Sequence, residues 1–363
     1  MLAVGYVPLT DAAPVLVAAA MGFDRQHGIV LRPRPAPSWS RLRDLLAGGA
    51  VDAAHALAPM VVAPALGLGG RTEPLEALAV LSRNGTVLGV PAGTGAAADP
   101  LDPGAARARV PDGARVGVPF PLSMQALLAE RWLGRCALVT VPPARMAEAM
   151  GAGEIDAFHV GEPWGSVAVE AGVAELVLAG RAIWSDAPEK VLAAPAGWAE
   201  AEPDRAAALV RALHDAAEWL ARPTSRAAAC EIVARALDVP SEVIDRGLTG
   251  RLTLTPQGAQ ARVEGLMRLA GPAAGFPWRS QAAWIGDRLA RRHGLDRAAA
   301  RRAAAATFRT DLYRAHMAGR TPLPGASFLA EGGVDPGTAV PSDAGRLVLA
   351  GSRFFDGRIF EPL

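Results

Sequence analysis

The sequence predicts an α/β protein with two lobes and a helical C-terminal extension. Three observations lead to this fold class. The chain of 363 residues exceeds the size of one ordinary domain and suits two. Apolar residues make up 51% of it, which is ample for packed cores. Strand-like and helix-like segments alternate through the first half, as in parallel sheets that are covered by helices.

The alternation predicts where most strands and helices of the two lobes lie. Short apolar runs predict strands at Ala3–Val7, Ile29–Arg32, Ala53–Leu57, Leu78–Leu81, Thr86–Val90, Arg115–Val118, Ala137–Val141, Ala157–Val160 and Leu176–Leu178. The segments between them predict helices at Ala13–Met21, Trp39–Ala47, Met60–Leu66, Met124–Trp132, Ala144–Met150 and Trp164–Ala171. Each lobe is therefore expected to be a sheet with helices on its faces.

The pattern changes after Lys190. The following segments all predict helices: Asp204–Leu220, Ser225–Leu237, Gln260–Ala270, Arg279–His293 and Arg297–Met317. Residues 92–113 are rich in Gly, Ala, Pro and Asp and predict an exposed loop. We therefore expect a first lobe over residues 1–85, a second lobe over 86–188, and a return to the first lobe with the helical extension over 189–363.

An internal repeat supports two lobes of similar topology. Residues 41–55 align without gaps with residues 145–159, and the two copies share Arg, Gly, Asp, Ala and His. Both copies predict an amphipathic helix, a glycine stop and a short buried strand. His55 and His159 end the two copies at equivalent positions, which favours packing over a ligand role. Chance similarity in an Ala/Gly-rich sequence is the competing explanation.

The charge balance and the cysteine count exclude several classes of function. With 37 basic and 36 acidic residues the net charge is +1, so we expect no direct contact with nucleic acid and no polybasic membrane surface. Cys136 and Cys230 are too few for a disulfide scaffold or a four-cysteine zinc site, and the histidines lack metal-ligand spacing. Motifs for a hydrolase elbow, a P-loop or a dinucleotide site are missing, so no cofactor and no enzyme chemistry are expected.

The N-terminus carries no secretory-signal pattern, because the chain opens directly into its first predicted strand. We therefore expect a cytoplasmic protein; an exported protein whose leader was removed is the alternative. The stretch Ala53–Gly70 has no charged side chain, but it contains His55, two prolines and several glycines. A buried loop and helix explain this stretch better than a membrane span.

Lys190 is the single lysine among the 37 basic residues. In a sequence that uses arginine wherever either residue would serve, the surviving lysine indicates a place that does not accept arginine. An ammonium group is a compact charge with three donors, whereas a guanidinium group is a wide planar fork. A small closed pocket for one small anion would discriminate between them. A chance leftover on the surface is the other interpretation.

Four loop segments predict a binding site beyond the carboxyl ends of the strands, where open α/β sheets bind ligands. They are Ser38-Trp39-Ser40, Asn84-Gly85-Thr86, Ser123-Met124-Gln125 and Gly161-Glu162-Pro163-Trp164. Three of them begin helices, whose N-termini attract anions. Trp39 would add an apolar wall and an N–H donor, and Gln125 an amide donor. The alternatives are structural: core packing for Trp39 and Trp164, a turn for Gly161, and a tie between the lobes for Glu162.

Seven motifs resemble those of one known family. They are Pro8-Leu-Thr-Asp-Ala-Ala-Pro14, Ser38-Trp-Ser-x-x-Arg-Asp44, Asp52-Ala-Ala-His-Ala56, Val141-Pro-Pro143, Val160-Gly-Glu-Pro-Trp164, Pro188-Glu-Lys-Val191 and Phe354-Phe-Asp-Gly357. Nearly end to end, the chain resembles the nitrate-binding family. That family includes the substrate-binding proteins of ABC transporters for nitrate and bicarbonate, and cytoplasmic nitrate/nitrite sensors. The Val-Gly-Glu-Pro-Trp and Pro-Glu-Lys motifs are the most specific part of the resemblance.

The resemblance implies a two-lobed periplasmic-binding-protein type II fold with the anion between the lobes. The implied site consists of Trp39, Thr86, Gln125, the backbone at Gly161, and Lys190. Family members usually carry Gln at the position of Thr86 and His at that of Gln125, which leaves the choice between nitrate and nitrite open. Bicarbonate is less favoured, since the sequence shows no cluster of acids for the calcium ion of that branch.

The sensor branch also implies a partner. By resemblance, such a sensor holds an RNA-binding antiterminator protein inactive and releases it when nitrate or nitrite binds. The anion would favour the closed form of the lobes, and closure would change the surface that the partner reads. Two alternatives remain: the substrate-binding protein of a nitrate ABC transporter, and a cytosolic enzyme on the same fold. An enzyme would need a titratable group in the cleft, for which Glu162, His159 and Lys190 are the candidates.

Overall fold

The computed structural model describes residues 1–70, 73–94 and 99–362. The strands are β1 (Leu2–Tyr6), β2 (Leu31–Pro35), β3 (Ala53–Leu57), β4 (Leu75–Asn84), β5 (Thr86–Pro91), β6 (Arg115–Val118), β7 (Ala137–Thr140), β8 (Ala157–Gly161), β9 (Ala174–Ala179), β10 (Pro188–Pro195), β11 (Arg251–Thr253), β12 (Gln260–Arg262), β13 (Met267–Arg268), β14 (Ala339–Ser342) and β15 (Gly345–Val348).

The α-helices are α1 (Ala13–Met21), α2 (Phe23–Gln26), α3 (Trp39–Ala47), α4 (Ala58–Val62), α5 (Pro103–Arg107), α6 (Met124–Leu133), α7 (Met146–Gly151), α8 (Trp164–Glu170), α9 (Trp198–Ala201), α10 (Pro203–Leu220), α11 (Arg226–Leu237), α12 (Ser241–Thr249), α13 (Arg279–His293), α14 (Arg297–Thr307) and α15 (Thr310–Met317). None of these helices has the length and apolar character needed to span a bilayer.

Two sheets organise the chain. The first has six strands in the order β13-β4-β10-β3-β1-β2, in which β1 runs parallel to β2 and β3 while β10 runs antiparallel to β3 and β4. The second has five strands in the order β7-β6-β8-β5-β9. Its β6 pairs in parallel with β7 and β8, and its β5 pairs antiparallel with β8 and β9. The chain passes from one sheet to the other at Gly85 and returns between β9 and β10.

Helix α13 joins the two lobes from one side. It packs on α4 of the first lobe and contacts α6 of the second. Arg292 of α13 donates to Glu130 of α6 at 2.8 Å and to the Pro121 carbonyl at 2.6 Å. The relative position of the lobes is therefore fixed by polar contacts as well as by the two chain crossings.

The C-terminal tail crosses the same junction. Its Phe354 stacks among Trp184 and Trp284, with ring centroids 4.8 and 5.8 Å away. The Arg131 guanidinium of α6 lies 4.2 Å above the Phe354 ring and pairs with Asp356 at 2.9 Å. The tail thus binds α6 and α13 at once, which connects it to both lobes.

Several element predictions were wrong in the second half of the chain. Gln260–Ala270 is not a helix, because Gly265 adopts the left-handed conformation (φ +64°) and residues on either side of it pair as β12 and β13. Arg297–Met317 is two helices, since Phe308 is extended and forms a bridge with Ala77.

Two longer elements had not been predicted, namely β10 and α12, and the same holds for the short elements α2, α5, α9, β11, β12, β13, β14 and β15. The predicted loop at residues 92–113 includes the short helix α5, and its residues 95–98 lie outside the described residues.

Candidate functional site

Lys190 lies in β10 and is fully buried. Consecutive residues of a strand normally point to opposite faces of the sheet. Here the pairing of β10 with β4 shifts register between Pro188 and Lys190 and again between Lys190 and Val191. Such bulges re-aim side chains. As a result Glu189 and Lys190 turn toward each other, with Lys190 Nζ 2.8 Å from Glu189 Oε1.

A second carboxylate faces the same ammonium group. Asp11, from the 3-10 helix Thr10–Ala12, accepts from Lys190 Nζ at 2.9 Å and from Ser82 Oγ at 3.1 Å. Burial alone would lower the pKa of Lys190, but Asp11 and Glu189 outweigh it and hold the pKa above its ordinary value. Lys190 therefore stays charged, and the three groups together carry a net charge of −1 when both acids are ionised.

Trp39 forms the apolar wall beside the ammonium group. It is the first residue of α3, and its ring centroid lies 5.4 Å from Lys190 Nζ. Ser38 caps the helix by accepting from Arg41 N at 3.2 Å, and its hydroxyl lies 3.0 Å from that of exposed Ser40. Trp39 Nε1 is buried without a hydrogen-bond partner among the described residues. This donor is free to bind a ligand.

Gln125 extends from the second lobe to the group of Asp11, Glu189 and Lys190, which we call the cluster. It is the second residue of α6, a helix that Ser123 caps by accepting from Ala126 N at 3.1 Å. Its Nε2 donates to Glu189 Oε1 at 2.6 Å, while its Oε1 is buried and has no hydrogen-bond partner in the described part of the chain. The hydrogen bond between Gln125 and Glu189 connects the two lobes.

His159 links Thr86 to Gln125. The Thr86 hydroxyl lies 2.9 Å from His159 Nε2, and His159 Nδ1 lies 3.0 Å from the Gln125 carbonyl oxygen. His55 holds the Asp11 backbone in the same way, with its Nε2 3.0 Å from the carbonyl oxygen. Burial lowers the pKa of His55 to about 4 and that of His159 to about 3, so both rings are neutral. The equivalent histidines of the repeat thus orient polar residues of the site.

The segment 161–164 holds the lobes against each other. A Cβ atom at Gly161 would come within 2.6 Å of Leu9 Cδ2, so the end of the Leu9 side chain would have to shift to accommodate a larger residue here. The Glu162 carbonyl accepts from Thr10 N at 2.8 Å, and Trp164 Nε1 donates to the Pro8 carbonyl at 2.7 Å. These contacts agree with the structural interpretation of Glu162 and Trp164.

Two predicted site residues have separate surroundings. The Glu162 side chain is buried, its Oε1 has no hydrogen-bond partner within the residues that the structure describes, and burial raises its pKa to about 7. Asn84 adopts a left-handed φ of 56° just before the crossing at Gly85 and donates to the Ser185 carbonyl at 2.8 Å. Asn84 therefore shapes the turn at the first crossing, and its amide nitrogen is already hydrogen-bonded to the Ser185 carbonyl oxygen.

The structure adds Asp11 and Glu189 to the predicted set. Both stood inside motifs already singled out, Pro8–Pro14 and Pro188–Val191. The signal that could have found them is electrostatic. A buried lysine needs buried counter-charges, so an acid next to the single lysine was a candidate. Within the described ranges, no group of three or more His, Cys, Asp or Glu side chains is placed to hold a metal ion.

The donors of the cluster converge on one oxygen atom. Glu189 Oε1 accepts from the Lys190 ammonium and from the Gln125 amide, at 2.8 and 2.6 Å. These are the distances expected for charge-assisted hydrogen bonds to an oxyanion. The space between the two donors therefore suits the oxygen of a small oxyanion, and the chain's own carboxylate fills it here.

Comparison with known proteins gives three concordant results. A model of the NMT1-like family matches residues 1–234. The nitrate import ATP-binding protein NrtC of Synechocystis is 33% identical over 308 residues, which cover 80% of this chain and 46% of NrtC. The nitrate/nitrite binding protein NrtA of the same organism is 31% identical over 270 residues, which cover 67% of this chain and 59% of NrtA. The chain thus aligns with about half the length of these curated relatives.

A solved structure agrees over nearly the whole chain. The crystal structure of the periplasmic nitrate-binding protein NrtA from Synechocystis PCC 6803 superposes with a TM-score of 0.83 and 26% identity, covering 99% of this chain and 95% of that one. The predicted fold class, an α/β two-lobed periplasmic-binding-protein fold, is confirmed.

Proposed function

We propose that this chain, which belongs to the NMT1-like family, binds nitrate, or an oxyanion of similar size, between its two lobes; its relative NrtA is named for nitrate and nitrite binding. The observation that carries this proposal is the convergence of Lys190 and Gln125, one from each lobe, on a single carboxylate oxygen. An anion that takes the place of that oxygen contacts both lobes and favours their closed arrangement. The unpartnered Trp39 Nε1 supplies a further donor.

The surroundings of the donors support a small anion. Trp39 and Lys190 are both buried, and Glu189 and Asp11 occupy the other sides of the ammonium group. Nitrate and nitrite spread one charge over a few oxygen atoms and need little space. The NrtA relative is named for both anions, and we propose nitrate or nitrite as the ligand without ranking them.

Isothermal titration tests the binding proposal. Nitrate, nitrite and bicarbonate are titrated separately into the full chain, and bicarbonate is titrated with and without calcium. We expect micromolar dissociation constants, roughly −8 kcal/mol, for nitrate or nitrite. Lys190→Arg should weaken binding, because the wider guanidinium group crowds a buried position. Arg34→Lys, at an exposed position of β2, is the control. Failure of all three anions to bind would refute the proposal.

We further propose a binding role without catalysis, either as a cytoplasmic nitrate/nitrite sensor or as the receptor of a nitrate transporter. The names of the relatives, a binding protein and an import protein, support a binding role. A ligand that closes the lobes changes a surface, and either an RNA-binding antiterminator or a transporter can respond to that change. Pulldown of the antiterminator at rising nitrate separates the roles: nitrate-dependent release supports the sensor, and unchanged recovery or no capture refutes it.

A further inference from the structure

Glu189 is held where the anion is expected. Its Oε1 accepts hydrogen bonds from the Lys190 ammonium group and the Gln125 amide, and the Glu189 side chain is buried. The bulge in β10 produces this arrangement, since a regular strand would point Glu189 away from Lys190. A nitrate oxygen cannot share the position with a carboxylate oxygen.

We propose that Glu189 is an internal competitor for the anion, and that anion binding is accompanied by uptake of one proton from solvent by its carboxylate. This inference rests on the proposed function. Once protonated, the carboxyl group is neutral and offers an O–H donor, so it yields its place opposite Lys190 and no longer repels the anion.

The other groups around Glu189 favour this assignment of the proton. Lys190 of the same strand is charged, Asp11 of the 3-10 helix accepts from both Lys190 and Ser82, and His55 is neutral and bonded to the Asp11 backbone. Gln125 of α6 has no charge. Burial raises the pKa of Glu189, and Lys190 opposes that rise. A bound anion would add negative charge beside an acid that is already difficult to ionise.

The test is a nitrate titration of the full chain at pH 6, 7 and 8, each in two buffers of different ionisation enthalpy. The expected result is proton uptake approaching one per nitrate at pH 8, and affinity that strengthens by up to about tenfold per pH unit lowered while Glu189 is ionised in the empty protein. Heats that do not depend on the buffer would overturn the inference.

Two matched variants assign the proton. Glu189→Gln should bind nitrate more tightly than the parent at pH 8, with no proton uptake and no pH dependence. Asp11→Asn, which removes the other acid on Lys190, should retain the uptake. Loss of uptake in Asp11→Asn alone would place the proton on Asp11 and overturn the inference. Nitrate binding without any proton would leave the proposed function intact, whereas no binding at any pH would overturn both.

A second proposal concerns a separate groove of about 520 Å³ between α6 and α13, which we name the arginine groove. It is lined by Gly113, Glu130, Gly134, Arg135, Cys136, Ala137, Arg288, Arg291 and Arg292. Four arginines thus face one acid. One wall belongs to the second lobe, and the other is α13, which packs on the first lobe.

The positive charge of the groove is only partly neutralised. Arg292 pairs with Glu130 at 2.8 Å, and Arg291 pairs with Asp287 at 3.1 Å, an acid that two further arginines share. Among the described residues, Arg135 and Arg288 have no ion-pair partner, and Arg288 Nε is buried without a hydrogen bond. Burial is the main cause that lowers the pKa of Arg288; the nearby charges of Arg131 and Arg291 lower it further, and Glu130 and Asp287 oppose them.

We infer that the arginine groove binds a phosphoanhydride chain, as in inorganic pyrophosphate or a nucleoside triphosphate. Several arginines that line one open space match the several oxygens of such a ligand, and Arg135 and Arg288, which lack an ion-pair partner among the described residues, leave guanidinium donors for it. A multivalent anion would relieve the crowding of Arg288 with its neighbours. Because it would contact α6 and α13 together, it would also link the two lobes.

Titration calorimetry with pyrophosphate, ATP and sulfate tests the second proposal. We expect one pyrophosphate or ATP per chain and at least tenfold weaker binding of sulfate. The double variant Arg135→Gln/Arg288→Gln should lose at least tenfold in pyrophosphate affinity, whereas Arg32→Gln/Arg34→Gln, on the exposed strand β2, should stay within twofold of the parent. Equal binding of sulfate, equal losses in the two double variants, or binding of an acidic peptide but not of pyrophosphate would overturn it.

Discussion

Replacement of Lys190 by methionine is the most informative single perturbation of the cluster. Methionine keeps most of the length of the side chain and removes the ammonium group. Asp11 and Glu189, at 2.9 and 2.8 Å from Nζ, would then face each other buried and unpaired. Removing one partner from a buried ion pair costs about 3–5 kcal/mol, so we expect the free energy of unfolding of Lys190→Met to fall by that amount at pH 8.

The loss of stability in Lys190→Met should depend on pH in a defined direction. Without the ammonium group, burial raises the pKa of the Glu189 carboxyl group further above the value of about 4 that it has in the unfolded chain. A group whose folded-state pKa is raised contributes fully below the unfolded pKa, and that contribution is lost as the pH rises through the folded pKa. The gap in the free energy of unfolding between parent and variant should therefore be small at pH 5 and large at pH 8.

Urea denaturation of both proteins at the two pH values measures this gap. Adding Glu189→Gln to Lys190→Met should restore part of the loss at pH 8, and the double-mutant cycle gives the coupling between the two residues. An equal gap at pH 5 and pH 8 would refute the reasoning. So would a variant as stable as the parent, because a buried ammonium group between two acids cannot be removed without effect.

Three further predictions concern other parts of the molecule. Burial raises the pKa of Glu162 to about 7, so the contribution of this group to stability is lost as the pH rises from about 4.5 to 7. The free energy of unfolding of Glu162→Gln should therefore exceed that of the parent by up to roughly 3 kcal/mol at pH 8 and equal it near pH 4.5. Urea midpoints that differ equally at both pH values would contradict this. Trp39→Phe removes the unpartnered Nε1 donor and should weaken nitrate binding about tenfold by calorimetry; unchanged affinity would exclude the indole N–H from the site. Phe354→Ala should lower the free energy of unfolding by about 3–5 kcal/mol, and Phe355→Ala, at the partly exposed neighbour, by less than about 1 kcal/mol; similar losses would argue against the aromatic cluster with Trp184.

The first half of the chain could be predicted well from local patterns. Its strands and helices alternate with clear periods, and Thr86–Val90 or Met124–Trp132 differ from the structure by one residue at most. In the second half, the helices α10, α11 and α13 could also be predicted to within one residue, but the strands could not, because their pairing partners are distant in sequence. Gln260–Ala270 has helix-like spacing of apolar residues, but β12 pairs with β11 and β13 pairs with β4, far earlier in the chain. Tertiary pairing and the left-handed Gly265 decide that segment.

The residues of the candidate site also differ in how far the local sequence predicts them. Trp39 and Gln125 stand at helix starts that the sequence marks with serine caps, and Lys190 stands out by composition. The role of Asp11 depends on a contact that spans 179 positions in sequence, and the role of Glu189 depends on a bulge. Neither contact is visible in a local pattern, although the position of Glu189 next to the single lysine made it a candidate counter-charge.

The bulge in β10 has a consequence for how such a pocket changes over evolution. Since it presents two neighbouring residues of opposite charge to one buried cluster, substitutions at positions 189 and 190 change the charge of that cluster directly. Glu189→Gln alone would bring the summed charge of positions 11, 189 and 190 from −1 to zero when the acids are ionised, with no change in the register of the strands.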